Sequence, residues 1–300
     1  FLGGAHPYLP GPEARINRGT RIVEEKDYLT DAIAREASSF IDRHKAQRFF
    51  LMVSFNAVHT PMQASDGRLK RFASIPDETR RNYAAMLAAM DEGIGRVVDA
   101  LRANRLEENT LIVFLSDNGG PTLPGTTVNG SRNQPLRGSK RTTLEGGVRV
   151  PFVVQWKGTL PPGSVYEPPV IQLDLLPTAL AAAGIAAEPG WKLEGVDLLP
   201  FLRGKVAEPP HDSLYWRQGR QMAIRRGAWK LVRYDRTVDE AGATSNPRST
   251  EVTSYRLYNL DLDRGEEHDL AARHPEKTSE LLRAWQTWDA QLAAPLWGPG

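Results

Sequence analysis

The sequence predicts an α/β fold: a sheet with helices on its faces, followed by a smaller C-terminal unit of antiparallel strands and one helix. Helical and extended patterns alternate from about residue 28 to residue 183, as they do where helices cover a sheet. Past about Arg203, short aromatic-rich runs follow one another without long helices between them. At 300 residues the chain accommodates about two domains. The expected division is 1–203 and 204–300.

Tyr28 to His44 reads as a helix, because Tyr28, Ile33, Ala37, Phe40 and Ile41 fall near helical spacing, with Thr30 as a local cap. Arg48 to Phe55 reads as a strand buried on both faces. The loop from Asn56 to Ser65 then carries His59. A long helix is expected from about Asp77 to Ala103, where Tyr83, Met86, Leu87, Met90, Ile94, Val97, Val98 and Leu101 recur at intervals of three and four. Thr110 to Ser116 reads as a second buried strand, ending in Asp117-Asn118-Gly119-Gly120. A basic, glycine-rich stretch runs from Pro121 to Gly147, Val148 to Trp156 reads as a third strand, and Ile171 to Ala183 as a small-residue helix with Pro177 in its first turns. Folds of this class bind ligands at the C-terminal ends of their strands, and His59 and Asp117 each follow a predicted strand. The second unit is read as strands at Ser213–Trp216, Gln221–Arg225, Trp229–Tyr234 and Tyr255–Leu260, a polar loop from Gly242 to Thr250, and a closing helix from about Pro275 to Leu292.

Composition excludes several classes. Lys plus Arg is 38 and Asp plus Glu is 36, a net charge of +2, which gives no reason to expect a nucleic-acid or membrane partner. There is no cysteine, hence no disulfide framework, thiolate metal site or cysteine nucleophile. The longest apolar runs, Phe49 to Phe55 and Leu111 to Leu115, fall far short of the ~20 residues a membrane helix needs. The chain opens on Phe1 with no basic and apolar leader before it, as expected of a processed chain or a fragment.

Three segments hold residues suited to chemistry. Asp117-Asn118-Gly119 is either a turn, since Asn-Gly is a strong hairpin dipeptide, or part of a hard-cation site, since a carboxylate and an amide oxygen are donors that Ca²⁺ accepts. Two ligands do not complete the roughly six to eight that Ca²⁺ takes. His59 is either a surface residue or, after a buried strand, a proton donor to a leaving oxygen. Lys140, within Leu136-Arg137-Gly138-Ser139-Lys140-Arg141, lies on either a solvated basic loop or an anion site. It is not a phosphate-binding P-loop: the Gly-Lys-Ser/Thr order is absent and no helix clearly starts there. His-Glu-x-x-His, Gly-x-Ser-x-Gly and the dinucleotide glycine fingerprint are also absent. Asn129-Gly130-Ser131 fits a glycosylation sequon.

Together and in order, these segments resemble the formylglycine-dependent sulfatases of the alkaline phosphatase superfamily. The resemblance is carried by the stretch from Phe49 to Pro61 with Asn56-Ala57-Val58-His59-Thr60-Pro61, by Phe114-Leu115-Ser116-Asp117-Asn118-Gly119-Gly120, and by Leu136-Arg137-Gly138-Ser139-Lys140 through Glu145-Gly146-Gly147-Val148-Arg149-Val150-Pro151. Asp174-Leu175-Leu176-Pro177-Thr178, Gly195-Val196-Asp197-Leu198-Leu199-Pro200 and Tyr258-Asn259-Leu260 extend it over nearly the whole chain. The resemblance implies an alkaline-phosphatase-like sheet between helices, incomplete at its N-terminus, ahead of the C-terminal subdomain. It implies a divalent cation, Ca²⁺ in most members, with Asp117 and Asn118 matching two of its ligands. It casts His59 as the acid for the leaving alcohol and Lys140 as the residue that binds sulfate oxygens. The implied reaction is hydrolysis of a sulfate monoester, a sulfated carbohydrate or aryl sulfate, by a protein that is exported.

The departure concerns the nucleophile. The family carries it in Cys/Ser-x-Pro-Ser-Arg, ahead of all these segments. Ser74-Ile75-Pro76 lacks the following Ser-Arg, and Ser245-Asn246-Pro247-Arg248-Ser249 has the last two residues reversed. Phe1-Leu2-Gly3-Gly4-Ala5-His6 resembles the family's segment just after the nucleophile region. The expectation is therefore a C-terminal portion of a sulfatase, inactive by itself. The alternatives are a phosphodiesterase or phosphonate hydrolase on the same scaffold, or a non-catalytic relic that binds sulfated glycans. Arg132, Asn133 and Arg137 are candidates for a sugar subsite, though a solvated basic loop is the favoured reading. His6, Trp191 and Trp216 are further candidates, and the tryptophans are read as core or interface residues.

Overall fold

The computed structural model describes residues 16–123, 127–239 and 251–294. His6, with the rest of the opening segment, and the polar loop from Gly242 to Thr250 lie outside the described residues. The chain divides at Glu107/Glu108 into two compact units, with Thr127–Ser131 returning to the first.

In the first unit, β1 (Ile16–Arg18) and β2 (Arg21–Val23) form an antiparallel hairpin. Three helices come next: α1 (Leu29–His44), α2 (Asp66–Arg71) and α3 (Glu78–Ala103). Helix α1 starts where the apolar spacing places it, but Tyr28 is its N-cap and Thr30 is buried in its first turn rather than capping it. The long helix α3 is capped by Asp77, whose side chain accepts a 2.6 Å hydrogen bond from the Arg80 amide. Asp77→Ala is expected to cost about 1 kcal/mol, the usual worth of such a cap, read as a lower denaturant midpoint at unchanged m-value. Helices α1 and α3 pack through small residues. A Cβ added at Gly93 would lie 3.3 Å from the Ala34 Cβ and 3.1 Å from the Phe55 ring. Arg68 ties α2 to both, with a bidentate pair to Asp31 at 2.8 and 2.9 Å and a contact to Glu92 at 2.7 Å.

The predicted strand from Arg48 to Phe55 needs correction. The segment forms no regular secondary structure, and no strand among the described residues pairs with it. Burial alternates: Phe49, Leu51, Val53 and Phe55 are half-buried, while Phe50 and Met52 are 79% and 77% exposed. A continuous apolar run predicts burial on both faces; here the described residues are half-buried on one face and exposed at Phe50 and Met52 on the other.

In the second unit, β3 (Ile112–Leu115) pairs antiparallel with β4 (Phe152–Gln155), Leu115 opposite Phe152. Between them lies α4 (Glu145–Val148), a single helical turn where none was expected. Helix α5 (Leu175–Ala183) is preceded by a 3-10 turn at Gln172–Asp174 and ends on left-handed Gly184, and α6 (Leu199–Leu202) comes after it. Asp174, fully buried, accepts from the Ile171 and Val196 amides at 2.8 and 2.9 Å and pairs with His211 at 2.9 Å. That explains structurally why Asp174-Leu175-Leu176-Pro177-Thr178 and Gly195-Val196-Asp197 occur together.

The four-stranded antiparallel sheet β5 (Ser213–Gln218), β6 (Gln221–Arg226), β7 (Trp229–Arg233) and β8 (Arg256–Asn259) matches the expected strands closely, as does α7 (Pro275–Asp289). Both faces are covered. Met222, Ile224, Leu231 and Leu257 pack with Leu281 of α7 on one face. Ala223, Val232, Tyr234 and Tyr258 pack with Leu144 on the other. Strand period two sorts the residues, and the register places Ala223 opposite Val232 and Leu231 opposite Leu257. An α/β architecture with a C-terminal antiparallel sheet and helix is therefore observed. No described helix is long and apolar enough to cross a membrane.

Candidate functional site

Strand β3 leaves the sheet at Ser116, whose amide still donates to the Pro151 carbonyl at 3.3 Å. The chain then turns sharply. The Ser116 hydroxyl donates to the Asn118 carbonyl at 2.8 Å, and the Asn118 amide donates to Asp117 Oδ1 at 2.9 Å. The Gln172 side chain donates to the carbonyls of Ser116 and Asp117 at 3.2 and 3.1 Å. The turn is no hairpin, because β4, the partner of β3, begins only at Phe152. Asp117 is exposed and Asn118 half-buried.

Asn118-Gly119-Gly120 is pressed against the glycine-rich segment. The Gly119 amide donates to the Gly147 carbonyl at 2.9 Å, and a Cβ on Gly119 would stand 1.8 Å from the Gly146 oxygen. Asn133 bridges the two stretches: its Oδ1 accepts from the Gly120 amide at 3.0 Å and its Nδ2 donates to the carbonyls of Gly120 and Gly138 at 2.8 and 3.0 Å. The Lys140 amide donates to the Gly120 carbonyl at 3.2 Å. The structure thus brings together the Asp117–Asn118 turn and the segment carrying Lys140. Buried Ser139 precedes the half-buried lysine, and Arg141 comes next in a left-handed backbone with φ 73°. Non-glycine residues are held there only where the surroundings demand it; here the Arg141 carbonyl is gripped by the Gln221 side chain at 2.8 Å.

Two of the sugar-subsite candidates are structural instead. Asn133 is the cross-link just described. Arg137 does not sit on a solvated loop: its guanidinium donates to the Glu266 carbonyl at 2.6 Å and the Tyr234 hydroxyl at 2.9 Å, and pairs with Asp239. Arg132 is exposed. Trp216 packs against the core, but Trp191 is 44% exposed and is not a core residue.

His59 belongs to the first unit. Its loop rests on α3 through Ala57 and Ala64, which cluster with Ala85 and Met86. The Val58 carbonyl is fixed by the buried Asn129 side chain at 2.7 Å. That bond commits the Asn129 amide nitrogen, which argues against the sequon as a glycan acceptor. His59 is exposed, with Nδ1 at 2.9 Å from the Thr60 carbonyl. A carbonyl only accepts, so Nδ1 carries the proton and the ring orientation is set.

Asp117 and Asn118 present a carboxylate and an amide oxygen, donors that fit a hard cation. Among the described residues no group of three or more His, Cys, Asp or Glu is placed to hold a metal, so this pair can supply only part of a coordination shell.

Sequence reading missed Glu145, Lys230 and Glu266. Lys230 Nζ lies 2.8 Å from Glu145 Oε1 and 2.9 Å from Glu266 Oε1. Burial opposes charge on Glu145, but the Lys230 ammonium, with Arg225 and Arg149 behind it, outweighs burial and holds the carboxyl below its ordinary value. Burial raises Glu266 beyond what Lys230 offsets. Burial also disfavours the Lys230 ammonium, yet the two carboxylates raise its pKa overall. One signal was legible: Lys230 sits in Trp229-Lys230-Leu231-Val232, a charge at a strand position whose neighbours on both sides are apolar.

The sulfatase family profile matches residues 5–185. The uncharacterized sulfatase YdeN of Escherichia coli K12 is 37% identical over 220 residues, 72% of this chain and 38% of its own length. Bovine arylsulfatase A is 33% identical over 291 residues, 93% of this chain and 52% of its own length. Among solved structures, Ps i-CgsB superposes with a TM-score of 0.80 at 33% identity, covering 93% of this chain and 58% of that one; it has also been solved in complex with k-i-k-neocarrahexaose. The chain spans about half the length of several curated relatives it matches.

Proposed function

Because this chain belongs to the sulfatase family of the alkaline phosphatase superfamily, we propose that the protein carrying it is a sulfuric ester hydrolase that releases inorganic sulfate from a sulfated carbohydrate or aryl sulfate. The observation that supports this most is the bond from the Lys140 amide to the Gly120 carbonyl. It holds an ammonium-bearing loop against a strand end that presents Asp117 and Asn118, as an anionic ester beside a divalent cation requires. The carbohydrate substrate class rests on the neocarrahexaose complex of Ps i-CgsB. Sulfatases dominate the named relatives, which favours neither phosphoryl transfer nor a glycan-binding relic.

The roles come from charge. Cleavage of the S–O bond leaves negative charge on the leaving oxygen. Lys140 holds sulfate oxygens, and His59 donates the proton to the leaving alcohol. Asp117 and Asn118 are two ligands of a hard divalent cation, Ca²⁺ in our reading; when bound, it supplies positive charge to the sulfuryl group. The nucleophile is not assigned to this chain, which has no cysteine and no Cys/Ser-x-Pro-Ser-Arg segment. Residues 1–203 form the catalytic portion and 204–300 the C-terminal subdomain, in a protein exported from the cytoplasm.

Kinetics on paired sulfate and phosphate esters of one alcohol test the reading. The sulfate ester is expected to react with the higher kcat/KM, and Lys140→Ala to lower that value by ~10²- to 10³-fold, as for a lost oxyanion donor. A clear phosphate preference overturns it.

A further inference from the structure

Three ionisable side chains outside the proposed reaction site are withdrawn from water. The side chains of Lys230 and Glu266 are 0% exposed and that of Glu145 is 3% exposed. Burying charges is costly even when they are paired, and apolar replacements often stabilise a fold better. The cluster therefore calls for an explanation other than stability, and its connections supply one.

Glu266 is a left-handed residue, φ 55°, next to Gly265 in the connection from β8 to α7. That conformation turns both of its acceptors toward one segment. Its backbone carbonyl takes the Arg137 guanidinium at 2.6 Å, and its carboxylate Oε2 takes the Glu145 amide at 2.6 Å. One residue thus holds both ends of Arg137–Glu145, the stretch with Lys140 near its middle. Lys230 rises from β7, opposite Tyr258, on the sheet face that packs against Leu144. It joins the side chain of Glu145 to that of Glu266 and closes the clamp. Arg225 and Arg149 stand behind Glu145 at 4.0 and 3.7 Å. Beyond the clamp, the Gly146 amide donates to the Arg137 carbonyl at 2.7 Å, the Gly119 amide to Gly147, and the Lys140 amide to Gly120.

We propose that Lys230, Glu145 and Glu266 are positioning residues: the buried cluster sets the Lys140 loop against the Asp117–Asn118 turn, and so acts on sulfate binding through Lys140. The inference deepens the proposed function and rests on it for the role of Lys140. The lowered carboxyl of Glu145 agrees with it, because the Lys230 ammonium then faces a permanent charge.

Two measurements test it. Hydrogen exchange on the 300-residue chain compares the parent with Lys230→Met, which keeps an unbranched side chain one atom shorter and removes the charge. Exchange across Arg137–Val148 is expected to rise about tenfold or more while α7 keeps its protection, as in local opening of one segment. In the catalytically competent protein, Lys230→Met is expected to lower kcat/KM for a sulfate ester by about 10²-fold alone, but by less than about threefold in a Lys140→Ala background, the signature of two residues acting as one. A merely structural loss subtracts equally from both backgrounds and overturns the proposal, as does unchanged exchange in Arg137–Val148 of the folded variant. If Lys230→Met does not fold, Glu145→Gln gives the same two readouts, since it keeps the hydrogen bond from its backbone amide to Glu266 and removes the charge that faces Lys230, Arg225 and Arg149. If the parent protein hydrolyses no sulfate ester, the proposed function fails, and the exchange experiment still decides whether the cluster holds the loop.

Discussion

Asp117→Ala in the catalytically competent protein is expected to abolish metal-dependent hydrolysis, a loss of ~10³-fold or more, as when a cation that stabilises transition-state charge by several kcal/mol is no longer held. The fold should not register the change. Asp117 is exposed, and its carboxylate accepts a local hydrogen bond from the next amide in the chain. Surface substitutions of that kind stay within about 0.5 kcal/mol, so the unfolding midpoint should hardly move. Initial rates with graded divalent cation, after chelation, separate the two effects. The parent should recover activity as cation is restored and Asp117→Ala should not. Full activity in the variant would falsify the metal assignment.

Gly119→Ala should injure both fold and activity. The added carbon would lie 1.8 Å from the Gly146 oxygen, 2.7 Å from its carbonyl carbon and 3.0 Å from the Gly147 Cα. All three are backbone atoms, so no side-chain rotation relieves the clash and the two segments must part. Overpacking costs about 1–3 kcal/mol and occasionally more; a contact this short belongs at the top of that range. The Gly119 amide bond to Gly147 would be lost in the same movement. Because displacement of about 1 Å in a site can cost ~10²-fold in rate, a loss of that size in kcat/KM is expected beside the lower denaturant midpoint. Gly95→Ala is the contrasting change. Gly95 is exposed on α3 with nothing within 4 Å of an added Cβ, and alanine there should stabilise by up to about 1 kcal/mol. Equal stability and activity for Gly119→Ala and the parent would show that the close approach is not required.

Elements whose pattern repeats within a few residues were legible. The spacing of Tyr83, Met86, Met90 and Leu101 predicts α3 almost to its ends, and the short aromatic-rich runs predict β5 to β8. Arg48–Phe55 reads as a doubly buried strand because hydrophobicity reports a side chain's preference for burial, not whether a neighbouring strand is there to bury it. The short helix at Glu145–Val148 was invisible for a related reason. Two glycines in four residues argue against a helix, but here they are needed for clearance: a Cβ on Gly147 would fall 2.2 Å from the Thr142 oxygen. Asp117, Asn118, His59 and Lys140 were legible as residue types suited to chemistry, and their roles only through the motif segments that carry the family resemblance. Arg137 and Asn133 read as a solvated basic loop, with a sugar subsite as the alternative, and their partners, Glu266 and Gly120 among them, could not be read from their own surroundings in sequence.

Read alone, the sequence determined what depends on neighbours in the chain: the helical period of α3 and its start near Asp77, the short strands of the C-terminal sheet, and motif segments specific enough to identify the family. Only the tertiary structure decided which polar groups reach water and which reach each other. Lys140 meets Gly120, and Lys230 and Glu266 close on Glu145, across gaps of 20 to more than 100 residues, where pairing energies depend on distance and burial rather than on sequence separation.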